Sequence, residues 1–544
     1  IMYYRSFLGI GVDGNSLMTN WIVYAALSVP TQLFCAGLIS SILVRTKTRT
    51  ITSVCSVLSL AAVVSALVCA ADVFINGKFQ GSVSGIDLYI DRLSVIMLLL
   101  VAFIGAVVIR YSGNYLDGDS GQRRFMQWLS WTVASVMLLV ITGHFAVFVI
   151  AWVFTSLSLH RLLLFYPERP GAHIAARKKF VISRLGDIAL VLAGVSLYQV
   201  FGTLEFSAIF NASIPPAKET ILTVAAFFLV FGAVMKSAQF PFHSWLPEVM
   251  ETPTPVSALM HAGIINAGGF LVIRMSHILV QAPAALHLLA IIGTVTALFG
   301  SVTMLTQTSI KKSLAFSTIG QMGFMMLQCG LGAFSSALLH IIAHALYKAH
   351  AFLSSGSVVD IARAAWAPPV RDNRHPGELL LAFFMALALT IGGGYLFGLS
   401  MEQEPGIMLL GTILQMALTY LLWDALAHQA GLGTLIRATL IAIGITVLYF
   451  ALQISFLKLL HTEIASAMPV NSLFDGLLLS IVLAGFFSIL MLQIQYPGPA
   501  AARMWQAAYV HFYNGFYLST IANRLIKTYW PPVRNFDHSG GTPQ

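Results

Sequence analysis

The sequence predicts an all-α polytopic membrane protein with about 14–15 transmembrane helices, and its charge content, hydropathy and apolar run lengths are the reasons. Among 544 residues, 30 Lys and Arg and 21 Asp and Glu make up only 9%, whereas a soluble domain has about 25% charged residues. Hydrophobic residues make up 58%, and the mean hydropathy is +0.82. One core cannot hide so many apolar side chains, so they face membrane lipid and a water-soluble globular protein is excluded.

Apolar runs of about 20 residues mark the expected membrane crossings, because a helix of that length spans the hydrocarbon core of a bilayer. About fifteen such runs follow one another along the chain, and we number the crossings in that order. The runs lie at 19–44, 50–73, 93–110, 124–142, 144–165, 177–200, 219–240, 254–280, 283–305, 312–330, 333–358, 377–400, 405–427, 435–459 and 471–494.

Basic residues are distributed unevenly between the connections, and this bias predicts the orientation. They follow odd-numbered crossings, as at 45–49 after the first, 177–179 after the fifth and 311–312 after the ninth. Because Lys and Arg concentrate in cytoplasmic loops, we expect odd-numbered loops in the cytoplasm, the N-terminus outside and the C-terminus inside a bacterial inner membrane. The net charge of +9 then reflects topology, and no nucleic-acid partner is expected.

Two segments outside the crossings have patterns of their own. Residues Ile75 to Arg92 alternate apolar and polar side chains with several glycines, which predicts an extracytoplasmic hairpin. The segment from Met504 to Tyr529 is rich in aromatic residues with scattered Arg and Lys, which predicts a helix at the cytoplasmic membrane surface. The four cysteines lie singly in apolar runs, so we expect them to pack in the core and expect no metal site and no cofactor.

Lys236 stands in an apolar run, where an ionisable side chain is costly unless it is paired or hydrated. The residues after it, Ser-Ala-Gln-Phe-Pro-Phe-His-Ser-Trp-Leu-Pro, include Pro241 and Pro247, which remove backbone donors and must break the helix. Broken helices in membranes line cavities or are buried in protein. Lys236 is therefore a candidate for an ion pathway, and a lysine that snorkels to the interface is the alternative.

A second group of ionisable residues lies in the eleventh crossing. His340, His344 and Lys348 are spaced four residues apart, which places them on one face of a helix. Three adjacent titratable groups without a carboxylate or cysteine indicate a proton relay rather than a metal site. A histidine satisfied within a packed core is the alternative for any one of them, and His350 lies off the stripe.

Further ionisable residues complete the candidate set for the proton or cation pathway. Arg184 and Asp187 are spaced for an ion pair within the sixth crossing, and we interpret this pair as either structural or part of the pathway. His261, Lys311 and Lys312 also lie in or beside apolar runs. The sequence contains no nucleophile with its base, no metal set and no phosphate loop, so we predict a transporter subunit and not an enzyme.

These motifs, in this order, resemble the antiporter-like membrane subunits shared by respiratory complex I and the Mrp-type sodium/proton antiporters. The similarity spans about residues 86–357 and is carried by Ile-Asp-Leu-Tyr-Ile-Asp-Arg-Leu-Ser, Arg-Leu-Gly-Asp, Lys-Ser-Ala-Gln-Phe-Pro-Phe-His-Ser-Trp-Leu-Pro-Glu and Pro-Thr-Pro-Val-Ser-Ala-Leu-Met-His. The resemblance implies that Lys236 is the central lysine of a first half-channel. It also implies that His340, His344 and Lys348 form the connecting relay.

The resemblance implies a fold as well. Two inverted five-helix repeats are expected at 124–280 and 283–427, each with one interrupted helix. We place the second interruption at Gly392-Gly393-Gly394. The remaining segments are expected to be N-terminal helices with the hairpin at 1–123, C-terminal helices at 435–494, and a cytoplasmic interfacial helix with a tail at 498–544.

The chain departs from the family's pattern at two places. Trp152 is followed by Val153, where the family has the glutamate that partners the central lysine, so the resemblance implies that Lys236 has lost its counter-charge. His160 lies seven residues after Val153 on the same helical face and is a candidate replacement. The twelfth crossing ends in Ser-Met-Glu at 400–402, where the family has a lysine.

Within this family the chain is similar to the DabB branch, the membrane subunits of inorganic-carbon accumulation systems. Its length, Val153 with Ser-Leu-Ser-Leu-His after it, and the ending Tyr-Val-His-Phe-Tyr-Asn-Gly-Phe-Tyr-Leu carry this similarity. It implies that H+ or Na+ flowing through the chain drives one-way hydration of CO2 to bicarbonate in a cytoplasmic, DabA-like zinc partner that resembles a carbonic anhydrase. A subunit of a complex I-type NADH dehydrogenase or of an Mrp-type antiporter is the alternative, and an inert scaffold is a third interpretation.

Overall fold

The computed structural model describes residues 14–43, 47–83, 85–356, 376–398, 405–427, 431–465, 473–494 and 502–530. Within these ranges the chain is almost entirely helical. Twelve helical spans in these ranges are long and apolar enough to cross a membrane. The prediction of an all-α, multi-pass membrane protein is confirmed.

Each predicted crossing coincides with a helix or, at 254–280, with a series of short helices. The helices Ile310–Gly330 and Phe334–Leu353 lie outside the twelve spans because they carry polar and basic residues. The helix Leu473–Ile494 is apolar but is not among the twelve either. The helices are α1 Gly14–Ile42, α2 Thr48–Asn76, α3 Arg92–Tyr115, α4 Gln122–Ile141, α5 Phe145–Leu163, α6 Pro170–Phe201, α7 Phe206–Asn211, α8 Glu219–Lys236, α9 Thr254–Ala262, α10 Ala267–Arg274, α11 Ser276–Leu279, α12 Pro283–Thr306, α13 Ile310–Gly330, α14 Phe334–Leu353, α15 Pro376–Leu396, α16 Pro405–Ala427, α17 Gly431–Leu460, α18 Leu473–Ile494, α19 Ala502–Tyr513 and α20 Leu518–Tyr529.

The predicted hairpin is present between α2 and α3. Strand β1, Phe79–Val83, pairs antiparallel with β2, Ile86–Ile90. Leu88 bridges to Thr142, and the Gly143 amide donates to the Asp87 carbonyl at 2.8 Å. The hairpin is therefore fastened to the connection between α4 and α5 and closes that end of the bundle.

A buried ion pair joins α3 to α10 at the hairpin end. Asp91 accepts hydrogen bonds from Arg274 at 2.6 and 2.9 Å and from the Ser94 amide at 2.8 Å. Burial alone would raise the pKa of Asp91, but the charge and hydrogen bonds of Arg274 hold that pKa below its ordinary value. The carboxylate therefore stays ionised and caps the first turn of α3.

The helix that carries Lys236 is broken as predicted. α8 ends at Lys236, and α9 begins only at Thr254, with two short 3-10 helices at 242–245 and 247–251 in between. A second break, at 264–266, separates α9 from α10. The two predicted prolines lie in the first of these irregular stretches, because neither can continue a hydrogen-bonded helix.

The predicted interruption at Gly392-Gly393-Gly394 is wrong. α15 runs without a break from Pro376 to Leu396. A Cβ atom on Gly393 would lie 2.7 Å from the Phe450 ring of α17, so this glycine allows two helices to approach closely instead of ending one. The division into repeats at 124–280 and 283–427 stays a prediction, and the departure at 400–402 lies outside the described residues.

The predicted interfacial helix consists of α19 and α20, which are joined by a turn at 514–517. Arg177, at the start of α6, donates to the Trp530 carbonyl at 2.7 Å, and Gln307, after the end of α12, donates to the Tyr513 carbonyl at 3.1 Å. These ends of α6 and α12 belong to connections that are rich in basic residues. The segment thus lies on the face that the charge bias predicts to be cytoplasmic.

Candidate functional site

Lys236 is buried at the point where α8 stops. Only 9% of its surface is exposed, which does not fit a lysine that snorkels to the interface. Its Nζ lies 4.4 Å from the centroid of the Trp152 ring and has no hydrogen-bond partner among the described residues. The ammonium group is therefore held by an aromatic face and by neighbouring charges.

Those charges come from α6, and we call Lys179, Arg184, Asp187 and Lys236 the lysine cluster. Arg184 Nη2 lies 2.6 Å from Asp187 Oδ2, so the predicted intrahelical pair is present. Asp187 attracts Lys236, and Arg184 repels it. Lys179 donates to the carbonyl and the hydroxyl of Ser156 at 2.6 and 2.7 Å. Three cations and one carboxylate thus share a largely buried site.

Asp187, and not His160, is the electrostatic partner of Lys236. His160 packs against the Phe180 ring with centroids 5.4 Å apart, and its charged neighbours are Lys179, Arg161 and Arg184. Lys236 therefore has an acidic neighbour, although Val153 occupies the family's glutamate position. The spacing within α6 identifies Asp187 as a candidate but does not assign this carboxylate to Lys236.

The charge bias predicts that two adjacent lysines belong to a cytoplasmic loop, whereas the structure places both within α6 and buries them. Lys178 and Lys179 are 2% and 4% exposed. Lys179 joins the lysine cluster, and Lys178 pairs with Glu248. The available signal was spacing, because Lys179 lies eight residues before Asp187 and thus on nearly the same helical face.

One hydrogen bond connects the surroundings of Lys236 with those of His261. Ser237 donates to the Ile265 carbonyl at 2.8 Å, and Ile265 lies in the break that follows α9, four residues after His261. The His261 ring is fully buried and stacks on Phe352 with centroids 4.4 Å apart. In the described part of the chain neither of its ring nitrogens has a hydrogen-bond partner.

The predicted relay lies on one face of α14. His344 and Lys348 are 5% and 0% exposed, and the ring centroids of His340 and His344 are 6.1 Å apart. Lys348 donates to the Ser317 hydroxyl at 2.8 Å, and His340 Nδ1 lies 2.9 Å from Gln328 Oε1. The structure therefore brings these three residues together, and we call them the relay.

The remaining candidates divide into one that joins the relay and two that do not. His261 interacts electrostatically with Lys348, so it extends the relay onto α9. Lys311 is half-buried and donates to the Thr254 hydroxyl at 3.2 Å, which ties the start of α13 to the start of α9. Lys312 is exposed, so the structure does not bring it into the buried groups.

A third polar group lies at the predicted cytoplasmic face, and we call it the carboxylate latch. Glu248, from the broken segment, pairs with Lys178 of α6. The Ser519 hydroxyl and the Asn523 amide of α20 both donate to Glu248 Oε1, the latter at 3.1 Å. The latch thus holds three separate elements together.

His243 lies in the same broken segment and contributes no charge to these groups. Its ring packs against those of Phe240 and Phe299, with centroids 5.8 and 4.7 Å apart. Burial and, after it, the charge of Lys178 lower the pKa of His243 to about 4. The imidazole is therefore neutral at pH 7.

Two family models match the chain. Residues 142–399 match the family described as NADH:quinone oxidoreductase/Mrp antiporter, TM. Residues 79–126 match the one described as NADH-Ubiquinone oxidoreductase (complex I), chain 5 N-terminus. The first match contains the lysine cluster, the relay and Glu248, whereas α19 and α20 lie outside both.

Curated relatives identify the branch. The chain is 41% identical over 456 residues to the probable inorganic carbon transporter subunit DabB2 of Halothiobacillus neapolitanus. This match covers 82% of this chain and 81% of the relative. The chain belongs to the DabB family. It is also 35% identical over 467 residues to the probable inorganic carbon transporter subunit DabB of Hydrogenovibrio crunogenus, covering 83% of this chain and 86% of that one.

A solved structure shares the fold of this DabB-family chain. The structure of the Mrp complex from Dietzia sp. DQ12-45-1b superposes with a TM-score of 0.56 at 24% identity, over 93% of this chain and 57% of that chain. At that identity the likeness shows the fold alone. The architecture is thus antiporter-like, and the site must be interpreted from its own residues.

Proposed function

We propose that this DabB-family chain is the proton-translocating membrane subunit of an inorganic-carbon transporter. Protons pass through the lysine cluster and the relay, and their flow drives the hydration of CO2 to bicarbonate in a DabA-like, carbonic-anhydrase-like zinc partner on the cytoplasmic face. Family membership supports the transporter role. The buried charges support the path.

The observation that carries the proposal is the burial of Lys236 and Lys348. Ionisable side chains at membrane depth cost several kcal/mol, and they mark ion or proton pathways when they face the interior of a bundle. Lys236 is 9% exposed and Lys348 is 0% exposed, each on a different helix. A protein that serves only as a scaffold does not need buried charged residues, because apolar side chains of the same size would pack without the free-energy cost of burying a charge.

The residue types favour H+ over Na+. A hard cation is bound by several oxygen ligands, whereas the lysine cluster offers one carboxylate among three cations. A sodium ion there would add a fourth positive charge. Lysine and histidine side chains each accept and release one proton, so the same groups are suited to proton transfer.

The available energy is sufficient for the proposed coupling. One proton that crosses a potential of about 100 mV releases about 2.3 kcal/mol. Because about 1.4 kcal/mol changes an equilibrium constant tenfold, one coupled proton biases the hydration of CO2 by more than tenfold. Accumulation of bicarbonate therefore requires the gradient as well as an active partner.

The experiment replaces Lys236 or His344 by Ala in cells that depend on this transporter for inorganic carbon. We expect each substitution to abolish accumulation of radiolabelled inorganic carbon, while the chain still co-purifies with its partner. An uncoupler applied to the unmodified strain is expected to have the same effect, although the purified partner keeps its zinc. Mass spectrometry and zinc analysis of the complex, purified through a tag on this chain, check the partner.

Lys458→Ala is the matched control, because Lys458 is also a lysine of a crossing helix but is exposed. This variant is expected to accumulate carbon normally. Normal accumulation in Lys236→Ala and His344→Ala, at normal expression, would show these residues to be packing. Accumulation that persists in fully uncoupled cells would return the chain to the scaffold interpretation.

A further inference from the structure

The polar stripe of α14 continues beyond the relay. Ser336 lies four residues before His340, so Ser336, His340, His344 and Lys348 follow one another along one helical face. With a rise of 1.5 Å per residue, the stripe extends over about 18 Å, more than half of the hydrocarbon thickness. Ser336 is 1% exposed.

Ser336 connects this stripe of α14 to α17 through a side-chain hydrogen bond. The Ser336 hydroxyl donates to Gln453 Oε1 at 2.6 Å, and Gln453 is 3% exposed. One turn before Gln453, the Tyr449 hydroxyl is buried beside the Gln453 side chain, which is its hydrogen-bonding neighbour. Ser336, Gln453 and Tyr449 thus form a chain of buried polar groups, and such groups are costly among apolar helices unless they serve a polar function.

This crossing lies towards the hairpin end of the molecule. Ser336 is in the first turn of α14, which starts at Phe334. α17 ends at Leu460, and the Leu459 carbonyl accepts a hydrogen bond from Arg92, the first residue of α3 after the hairpin, at 3.0 Å. The charge bias predicts that this end is extracytoplasmic, opposite to α19 and α20.

We propose that Ser336, Gln453 and Tyr449 form the extracytoplasmic end of the proton path, where the relay of α14 passes its proton to α17. This inference rests on the proposed function and extends it, because it assigns a terminus and two residues of α17 to the path. Ser336 carries the proton, and Gln453 is a positioning residue.

The transfer needs no charged residue beyond His340. Protonated His340 gives its proton to a water molecule beside it, and that water gives one to the Ser336 oxygen. As Ser336 accepts the new proton, it passes its own hydroxyl proton to a second water molecule on the hairpin side, so no charge accumulates. Because Ser336 donates to Gln453 Oε1, its lone pairs stay available to accept. The Tyr449 hydroxyl can donate and accept in the same way.

The test measures proton flux in liposomes that contain the purified complex and a pH-sensitive dye, with an imposed membrane potential. Gln453→Leu removes the amide at similar volume, and we expect proton flux per folded complex to fall at least tenfold. Ser336→Ala is expected to have the same effect. Gln453→Glu retains an oxygen acceptor for Ser336 and should restore most of the flux.

Gln415→Leu is the matched control, because Gln415 is a glutamine of α16 that is also buried, with 6% exposed. It should conduct normally. If the hydrogen bond between Ser336 and Gln453 only holds the two helices together, Gln453→Leu should lower the thermal midpoint and leave the proton flux per folded complex unchanged. That result would overturn the inference.

Lys236→Ala, measured in the same preparation, separates this inference from the proposed function. If Lys236→Ala blocks flux while Gln453→Leu and Ser336→Ala conduct normally, the path leaves elsewhere and only the extracytoplasmic end is refuted. If Lys236→Ala also conducts normally, the proposed function fails and the inference fails with it.

Discussion

Replacing Asp187 by Asn tests whether its carboxylate is the counter-charge of Lys236. The side chain keeps its size, so the substitution removes a charge and leaves the packing intact. The lysine cluster has three cations and one carboxylate, a formal charge of +2, which the substitution raises to +3. With an effective dielectric constant of about 20, two opposite charges that lie about 4–8 Å apart attract each other by about 2–4 kcal/mol.

That energy predicts the size of the effect on proton transfer. A loss of about 1.4 kcal/mol changes a protonation equilibrium tenfold, so about 3 kcal/mol, the middle of that range, disfavours the protonated form of Lys236 by about 100-fold. Arg184 lies 2.6 Å from Asp187 and therefore weakens the attraction between this carboxylate and Lys236. We therefore expect Asp187→Asn to slow proton flux by about 10- to 100-fold.

The assay is the dye-loaded liposome measurement, with carbon accumulation in cells as a second readout. Asp187→Glu keeps the charge and should retain most of the flux. Asp475→Asn is the control, since Asp475 pairs with His287 at 2.7 Å in a contact between α18 and α12. Flux at the unmodified level in Asp187→Asn, with Lys236→Ala inactive, would refute the assignment of Asp187 as counter-charge.

Three further substitutions test the supporting structure. Arg274→Met leaves Asp91 buried without a counter-charge, so the free energy of unfolding should fall by about 3–5 kcal/mol; an unchanged thermal midpoint in detergent would contradict this. Glu248→Gln weakens the carboxylate latch, so trypsin should cut faster after Arg524 in α20, and equal rates would show that α20 is held by other contacts. Gly393→Leu places a side chain where a Cβ atom already lies 2.7 Å from an aromatic ring of α17; we expect overpacking to cost about 1–3 kcal/mol, and a midpoint at the unmodified value would show that α15 and α17 separate easily.

The membrane helices were predictable because the bilayer limits the choice of structure. A chain that crosses hydrocarbon must satisfy its backbone within each segment, so apolar runs of sufficient length become helices. The break after Lys236 was predictable for a similar reason, since Pro241 and Pro247 cannot continue a helix. Three consecutive glycines are less informative. Gly393 is compatible with a break or with a close helix contact, and the Phe450 ring, far along the chain, decides between them.

The candidate site was only partly predictable, because spacing describes one helix at a time. The stripe of His340, His344 and Lys348 lies within α14, so periodicity was enough to find it. The attraction between Asp187 and Lys236 depends on how α6 packs against α8, and no local pattern contains that information. Lys179 was missed because a lysine near the start of a crossing is ordinarily a solvated loop charge.

The packing of α6 also connects two polar groups that no sequence pattern links, the carboxylate latch and the lysine cluster. Lys178 and Lys179 are consecutive, so their side chains point about 100° apart around the same helix. Lys178 enters the carboxylate latch, which holds α20 at the predicted cytoplasmic surface. Lys179 reaches Ser156 and belongs to the lysine cluster. A displacement of α20 acts on Glu248, and through Lys178 on the helical turn that positions Lys179. Because a helical turn moves as a unit, the carboxylate latch and the proposed proton path are mechanically linked.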